Sequence, residues 1–550
     1  MKRTLVAAAA LAIAVTQAGS ALPASSAAAH FHGADRGSGR THPGLPGGYE
    51  HLVVIYEENH SFDNLYGGWG RVGRDRVDGL RDVRRSTQVD QHGTPLGCLP
   101  QDDVNLTSPP LTTECSDPAH GIAASHFRNH PFTIDRFIAP EDKTCPAPGV
   151  FAANGVLKDS PGALPGGCTR DLVHRFYQEQ YQIDRGRQDR YVSGSDAVGL
   201  TMGHYATRRL PIYRYLHSSH APHYVIADRF FQAAFGGSFL NHQWLISARS
   251  PLDTSNGASG ALNSVIDANG MPTAYPQYVP TAATLDKELT VACGDPSRNS
   301  VHRACGDFAV NTIQPASPPH STSPVQLPLI NDQRYPNIGD RLSGAGISWA
   351  WYAGGWHDAE AGHPGPLFQY HHQPFNYFAA YAPGQPGRDH LQDEARFHAA
   401  VADGTLPTVS FVKPYGAENE HPGYASEPDG SDHLVDLLRE ITTGPDADST
   451  LVVVTYDEFG GQWDHVAPPG QDHTRGVHDA WGPGTRIPAL VLSASMKRSG
   501  VDHTVYDTTS ILSMIEHGFR LDPLSSRDAR VNNLAHAVRT GGGHCHHRRP

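Results

Sequence analysis

Six apolar runs constrain this chain more than any other feature: 51-HLVVIY-56, 223-HYVIAD-228, 347-ISWAWYAG-354, 408-TVSFVKP-414, 451-LVVVTYDE-458 and 487-IPALVLSAS-495. Most are continuous rather than alternating. A strand with one wet face alternates apolar and polar side chains, so an unbroken run marks a strand covered on both faces. Between the runs lie segments with helical patterning, 204-HYATRRLPIYRYLHSS-219, 431-SDHLVDLLREITTG-444 and 507-DTTSILSMIEHGF-519, with Asp507, Thr508 or Ser431 placed to cap them. Strand and helix in alternation predict an α/β fold, a mostly parallel central sheet sandwiched by helices.

The remaining sequence sorts around that sheet. Lys2 and Arg3 precede an apolar stretch from Leu5 to Val15 and small residues through Ala29, the pattern of a secretory signal over residues 1–29 cleaved near Ala29 or Ala21. Residues 30–48, rich in Gly, His and Pro, read as a flexible lead-in, and 49–538 as a single domain. Nothing later approaches the roughly 18 apolar residues of a membrane helix, so the expectation is an exported protein without stable membrane insertion. A formal charge of -13 argues against nucleic acid or anionic membranes as nonspecific partners. Residues 86–170 and 250–335 are polar excursions that carry cysteines and form a possible cap. Proximity suggests the pairs Cys98–Cys115, Cys145–Cys168 and Cys293–Cys305, leaving Cys545 in the biased tail 539–550, which reads as disordered.

Two strand ends are acidic. The first apolar run ends in Glu57, Glu58 and Asn59; the run at 451 ends in Asp457 and Glu458, followed by Gly-Gly and Asp464-His465. Ligands of open parallel sheets sit outside the C-terminal ends of the strands. Each pair alone reads as a solvated turn or as half of an oxygen-rich cation site; two from distant parts of the chain favour the cation. Glu57 is expected to point elsewhere, because strand side chains alternate. Thr201, in 199-GLTMGHYATRRLP-211, stands where a loop leads into a helix. It reads either as a helix cap or as a nucleophile beside an anion-binding helix N-terminus. His371, His372 and His421 lie in Pro- and aromatic-rich loops, and His120, His204, Asn241, His242 and His465 are further candidates for phosphate contact or proton transfer. The bland alternative for any one of them is a satisfied structural residue.

Taken as a set, ENHSFDNLYG, LTMGHY, GGSFLNHQWLI, HHQPFNYF, GTLPTVSFVKP, NEHPGYA, TYDEFGGQWDHVAPP, GPGTRIPALVLS and DHTVYDTTSILSMIE resemble the bacterial phosphoesterase family. That family holds secreted acid phosphatases and phosphatidylcholine-hydrolysing phospholipases C, within the alkaline phosphatase superfamily. The motifs span roughly residues 50–535. The resemblance implies one divalent metal ion (Ca, Mg, Mn or Fe) held by Glu58, Asn59, Asp457, Glu458 and Thr201. It also implies Thr201 as nucleophile and His120, His371, His372 and His421 as phosphate contacts. His60 stands where the family commonly has Arg, a departure that bears on substrate fit.

The expected activity is hydrolysis of phosphate monoesters through a phospho-threonine intermediate. Phospholipase C action on phosphatidylcholine-type phosphodiesters is the alternative, and a small phosphoester or a phospholipid the corresponding substrate. A catalytically silent scaffold is the third reading, opposed by the intact set of candidate ligands and nucleophile.

Overall fold

The computed structural model describes residues 44–101, 111–137, 140, 171–254, 262–282, 284–291 and 304–542. The signal, most of the lead-in, Cys145, Cys168, Cys293 and Cys545 lie outside the described residues. Cys98 and Cys115 are joined, and Cys305 is also disulfide-bonded.

Eight strands form the central sheet: β1 (His51–Glu57), β2 (His223–Ala227), β3 (Trp349–Ala353), β4 (Leu391–Asp393), β5 (Val409–Lys413), β6 (Thr450–Tyr456), β7 (Ala489–Ser493) and β8 (Gly500–Asp502). Their spatial order is β4-β3-β5-β1-β6-β7-β2-β8. All neighbouring pairs are parallel except those of β7, which runs antiparallel to both β6 and β2. The sheet is therefore mostly parallel, as the unbroken runs predict, with one reversed strand that they do not reveal. β4 escapes sequence reading because three residues are too few to show a pattern.

The middle of the sheet is dry. Every residue of β1 from Leu52 to Glu57 is buried, on alternating faces, so both faces are covered. Val53, Val54 and Ile55 are β-branched and suit the pleat. Each fully buried aliphatic side chain here contributes about 1.5–3 kcal/mol relative to exposure. Neither polar excursion supplies a strand to this sheet among the described residues.

The helices begin where local chemistry permits. In chain order they include α1 (Phe62–Leu65), α2 (Phe176–Ile183), α3 (Pro211–Leu216), α4 (Ser238–Ser247), α5 (Glu427–Thr443) and α6 (Thr509–Phe519). α5 starts one turn earlier than expected. Ser426 is its cap, accepting from the Asp429 amide, and Ser431 lies inside the helix. At α6 the Asp507 carboxylate accepts from the Thr509 amide at 2.8 Å, while the Thr508 side chain makes no capping bond. The helix expected from residue 204 begins only at Pro211, whose fixed φ suits a first helical position.

Candidate active site

Strand register assembles the site. β1 and β6 pair in parallel with Glu57 opposite Tyr456, so the next residues of both strands leave the sheet at one level. Glu58 and Asn59 come from one strand end, Asp457 and Glu458 from its neighbour. Asn59 turns the chain at a φ of 57°. That left-handed step breaks strand alternation, and both Glu58 and Asn59 take part in one cluster. Its amide donates to Asp457 Oδ1 at 3.2 Å, and the same oxygen accepts from the Glu458 amide at 2.8 Å. Gly460 has a φ of 62°, and a Cβ there would sit 2.2 Å from the Asn59 carbonyl oxygen. The glycine turn after Glu458 is thus what lets the two acidic loops touch.

Other elements close around these carboxylates. Lys413, the last residue of β5, places Nζ 2.6 Å from Glu58 Oε1 and donates to the Tyr56 carbonyl at 2.9 Å. His372, in the 3-10 turn Tyr370–His372, brings Nε2 to 2.8 Å from Glu58 Oε1. Ser238, at the start of α4, donates to Glu58 Oε2 at 3.1 Å. One turn later His242 lies 3.7 Å from Asp457 Oδ2 through Nδ1, which is bonded to the Ser238 carbonyl at 2.7 Å. Asn59 Nδ2 meets His421 Nε2 at 2.9 Å, and His174 Nε2 lies 3.5 Å from Glu458 Oε1. Glu58, His242 and His372 can jointly ligate one ion, as can Asp171, His174 and His421 beside them.

Burial sets the charges. Burial would raise the Glu58 carboxyl, but the Lys413 ammonium, aided by His372, holds it well below the usual range. Asp457 is pushed well above by burial and then by the Glu58 charge; Glu458 by burial and then by Asp457. Burial holds His242 and His371 well below the usual imidazole value, lowers His421, and takes His372 to about 4. Three carboxyls therefore share one permanent cation. Asp457 Oδ2, Glu458 Oε1 and His242 Nε2 are buried without a hydrogen-bond partner, while Glu58 Oε1 is held by Lys413 and His372. Such orphaned, mostly oxygen donors fit a hard divalent cation, since an uncompensated buried polar atom is costly.

The remaining candidates are distributed differently. Thr201 is fully buried in the 3-10 turn Val198–Met202, followed by a two-residue strand rather than by a helix. The expected helix N-terminus is therefore not beside it. Its hydroxyl donates to the Val198 carbonyl at 2.9 Å, and its own carbonyl accepts from the Trp463 amide at 3.0 Å, linking this turn to the loop after Glu458. The His371 ring centroid lies 4.7 Å from that of His372 and 6.0 Å from that of His242. Asn241 is spent on the backbone: its side chain bonds Ala234 and the Gly236 carbonyl, fixing the turn before α4. His204 bonds the Tyr205 carbonyl, and His120 is held by Asp117 at 2.6 Å and faces Asp90 at 3.5 Å. None of these three contacts the carboxylate cluster. His60 bridges Asn64 and the Glu420 carbonyl, and burial lowers it to about 4. Glu57 is buried toward Glu420, with both carboxyl oxygens lacking a hydrogen-bond partner.

Sequence reading misses Lys413, Ser238 and His174. Lys413 ends an apolar run, and a lysine there signals either a solvated strand end or a buried counter-ion. Ser238 lies within a motif already singled out. His174 stands just beyond a polar excursion, and only the fold brings it in. A cavity of about 290 Å3 adjoins the cluster, lined by Asp171, His174, Arg175, Asp196, Gly237 and Asn311 among others.

The Phosphoesterase family model matches residues 49–522. The non-hemolytic phospholipase C of Burkholderia pseudomallei (strain K96243) is 31% identical over 242 residues, 37% of this chain and 32% of that protein's length. Phospholipase C B of Mycobacterium tuberculosis (strain ATCC 25618 / H37Rv) is 24% identical over 529 residues, 90% of this chain and 78% of its own. Among solved structures, the lipoteichoic acid synthase LtaP from Listeria monocytogenes aligns over 60% of this chain and 68% of its own, at 8% identity and a TM-score of 0.28.

Proposed function

The chain belongs to the phosphoesterase family, and on that premise we propose that it is an exported hydrolase of phosphoric esters, acting first on phosphate monoesters. The observation that carries this reading is the shared level of two acidic strand ends, where buried Asp457 Oδ2 and Glu458 Oε1 lack partners. Glu58, Asn59, Asp457 and Glu458 would hold one divalent cation, with Thr201 beside it. Such an ion supplies positive charge to the phosphoryl oxygens.

The protein groups do the rest. Thr201 Oγ1 forms a bond to phosphorus as the ester P–O bond breaks. Its lost proton is balanced by one delivered to the leaving oxygen through His371, His372 or His421. Burial favours the neutral form of these rings; a phosphoryl dianion beside them opposes that and favours protonation. Lys413 holds Glu58 in its charged form throughout. Water then attacks the phospho-threonine, releasing phosphate and restoring the hydroxyl. The adjoining cavity of about 290 Å3 has room for a phosphoryl group and a small alcohol.

Phospholipase C action is the second reading, favoured by the two relatives named above. Full-length protein and Thr201→Ala are assayed with excess Mg, Ca or Mn on a phosphomonoester and on phosphatidylcholine vesicles. Monoester turnover abolished in the variant is expected. Phosphocholine release without monoester turnover moves the protein to the phospholipase reading, and full activity in Thr201→Ala refutes the nucleophile.

A further inference from the structure

A cavity of about 1000 Å3 lies away from the carboxylate cluster, a cationic bowl further along the same edge of the sheet. β2 runs parallel to β1, because β7 between β6 and β2 is antiparallel to both, and β8 is parallel to β2. Arg229 and His503, which follow the C-terminal ends of β2 and β8, line the bowl. They therefore stand at the edge where Glu58 leaves β1.

Five arginines and three aspartates line this cavity, in a chain whose formal charge is -13. The aspartates are already engaged. Asp82 pairs with Arg76, Asp78 with Arg229 and His465, and Asp472 lies 3.5 Å from His473. Arg84 and Arg85, adjacent and exposed, have no acidic or hydrogen-bonding partner among the described residues. Neighbouring guanidinium groups repel one another, and a concave wall focuses their field instead of dispersing it into solvent. Arginine's planar fork matches phosphate oxygens in pairs.

We propose that this bowl is an accessory binding site for a phosphate-class polyanion, with Arg84 and Arg85 as its principal contacts. The ligand chemistry is shared by soluble di- and polyphosphates and by anionic lipid headgroups. The site stands apart from the hydrolytic cluster, and nothing in its argument requires that cluster to be active.

Calorimetric titration of the full chain with methylenediphosphonate, an analogue of pyrophosphate that resists hydrolysis, tests it. Arg84→Ala/Arg85→Ala is expected to weaken binding at least about tenfold, as two charge-assisted contacts are lost. Arg84→Lys/Arg85→Lys, which keeps the charge but not the fork, is expected to lie between. Inhibition of monoester turnover by inorganic phosphate should be unchanged in both variants, separating this site from the hydrolytic one. Sedimentation with phosphatidylglycerol vesicles, lost in the alanine variant, would identify a lipid headgroup as the source; binding confined to the soluble analogue identifies a free phosphate. Equal affinity of wild type and alanine variant for both probes, or no binding by the wild type, overturns the proposal. The titration reads binding alone, so it holds its meaning even if no hydrolysis is found.

Discussion

Two acidic clusters grow from the same pair of loops, and they have opposite character. One joins Glu58, Asp457 and Glu458; the other joins Asp63 and Asp464, a few residues further along each loop. In the second, Arg486 donates to Asp464 through Nε at 3.1 Å and to Asp63 through Nη2 at 3.1 Å. It also donates to the carbonyls of Asp78 and Asp228. His465 Nδ1 meets Asp63 at 2.6 Å and Nε2 meets Asp78 at 3.2 Å. Arg486, Asp63 and Asp464 are all almost completely buried, yet none of their charged atoms lacks a partner. The first cluster has Lys413 alone, and several orphaned atoms. Composition is nearly the same; the count of satisfied atoms differs. A cluster that neutralises itself braces the loops, whereas one that does not is built to receive something.

Mutating matched aspartates sharpens that contrast most. Asp457→Asn is expected to cost about a hundred- to a thousandfold in turnover, with the melting temperature held or raised, because burial and the Glu58 charge already push that carboxyl toward its uncharged form. Steady-state kinetics and thermal melts on one preparation test both halves; unchanged turnover would falsify the role of the first cluster. Arg486→Met should do the reverse in kind, leaving Asp464 buried without its cation and Asp63 with His465 alone, at a cost of about 3–5 kcal/mol in denaturant unfolding. A loss below about 1 kcal/mol there would place the bracing elsewhere.

A gentler probe is pH. Burial opposes the charged form of His465, but Asp63, followed by Asp78, raises it from its ordinary 6.5 to about 9. A raised folded value stabilises most where both states are protonated. That contribution is whole below about pH 6.5 and fades as pH rises through about 9. His465→Gln should flatten the alkaline fall in melting temperature, and an unchanged profile would remove His465 as its cause. The smallest expected signal comes from adding Mg, Ca or Mn to metal-free protein at neutral pH. Burial, the Glu58 charge and mutual repulsion push the Asp457 and Glu458 carboxyls well upward, so cation binding should be accompanied by release of protons. Calorimetry in buffers of different ionisation enthalpy counts them, and none released means the ion binds elsewhere.

Much of the frame was legible in the residues. Continuous runs such as 451-LVVVTY-456 announce strands buried on both faces, and the acidic residues after two of them meet at one edge of the sheet. What was not legible depends on distance. Arg486 reads in isolation as an ordinary basic residue before a strand, yet it binds a side chain 423 positions away. The family pattern puts His120 among the expected phosphate contacts, and the neighbouring Asp117 holds it, while His174, in plainer surroundings, reaches Glu458. Local patterns predict backbone; which side chains meet is decided by register and by turns such as that at Asn59.

The reversed strand β7 has a consequence in time. Parallel strands offer the edge that carries the carboxylates their ends; β7, running backwards, offers its beginning, and so delivers Arg486 there. The clamp on Asp63 thus joins two points of the chain 423 positions apart, and it is expected to close only after most of the sheet has been ordered. A growing chain that has already formed β1 has no guanidinium with which to hold the loop beyond it. Acquisition of the cation-binding geometry is therefore expected to be among the last events of folding, trailing the burial of the strands that carry it.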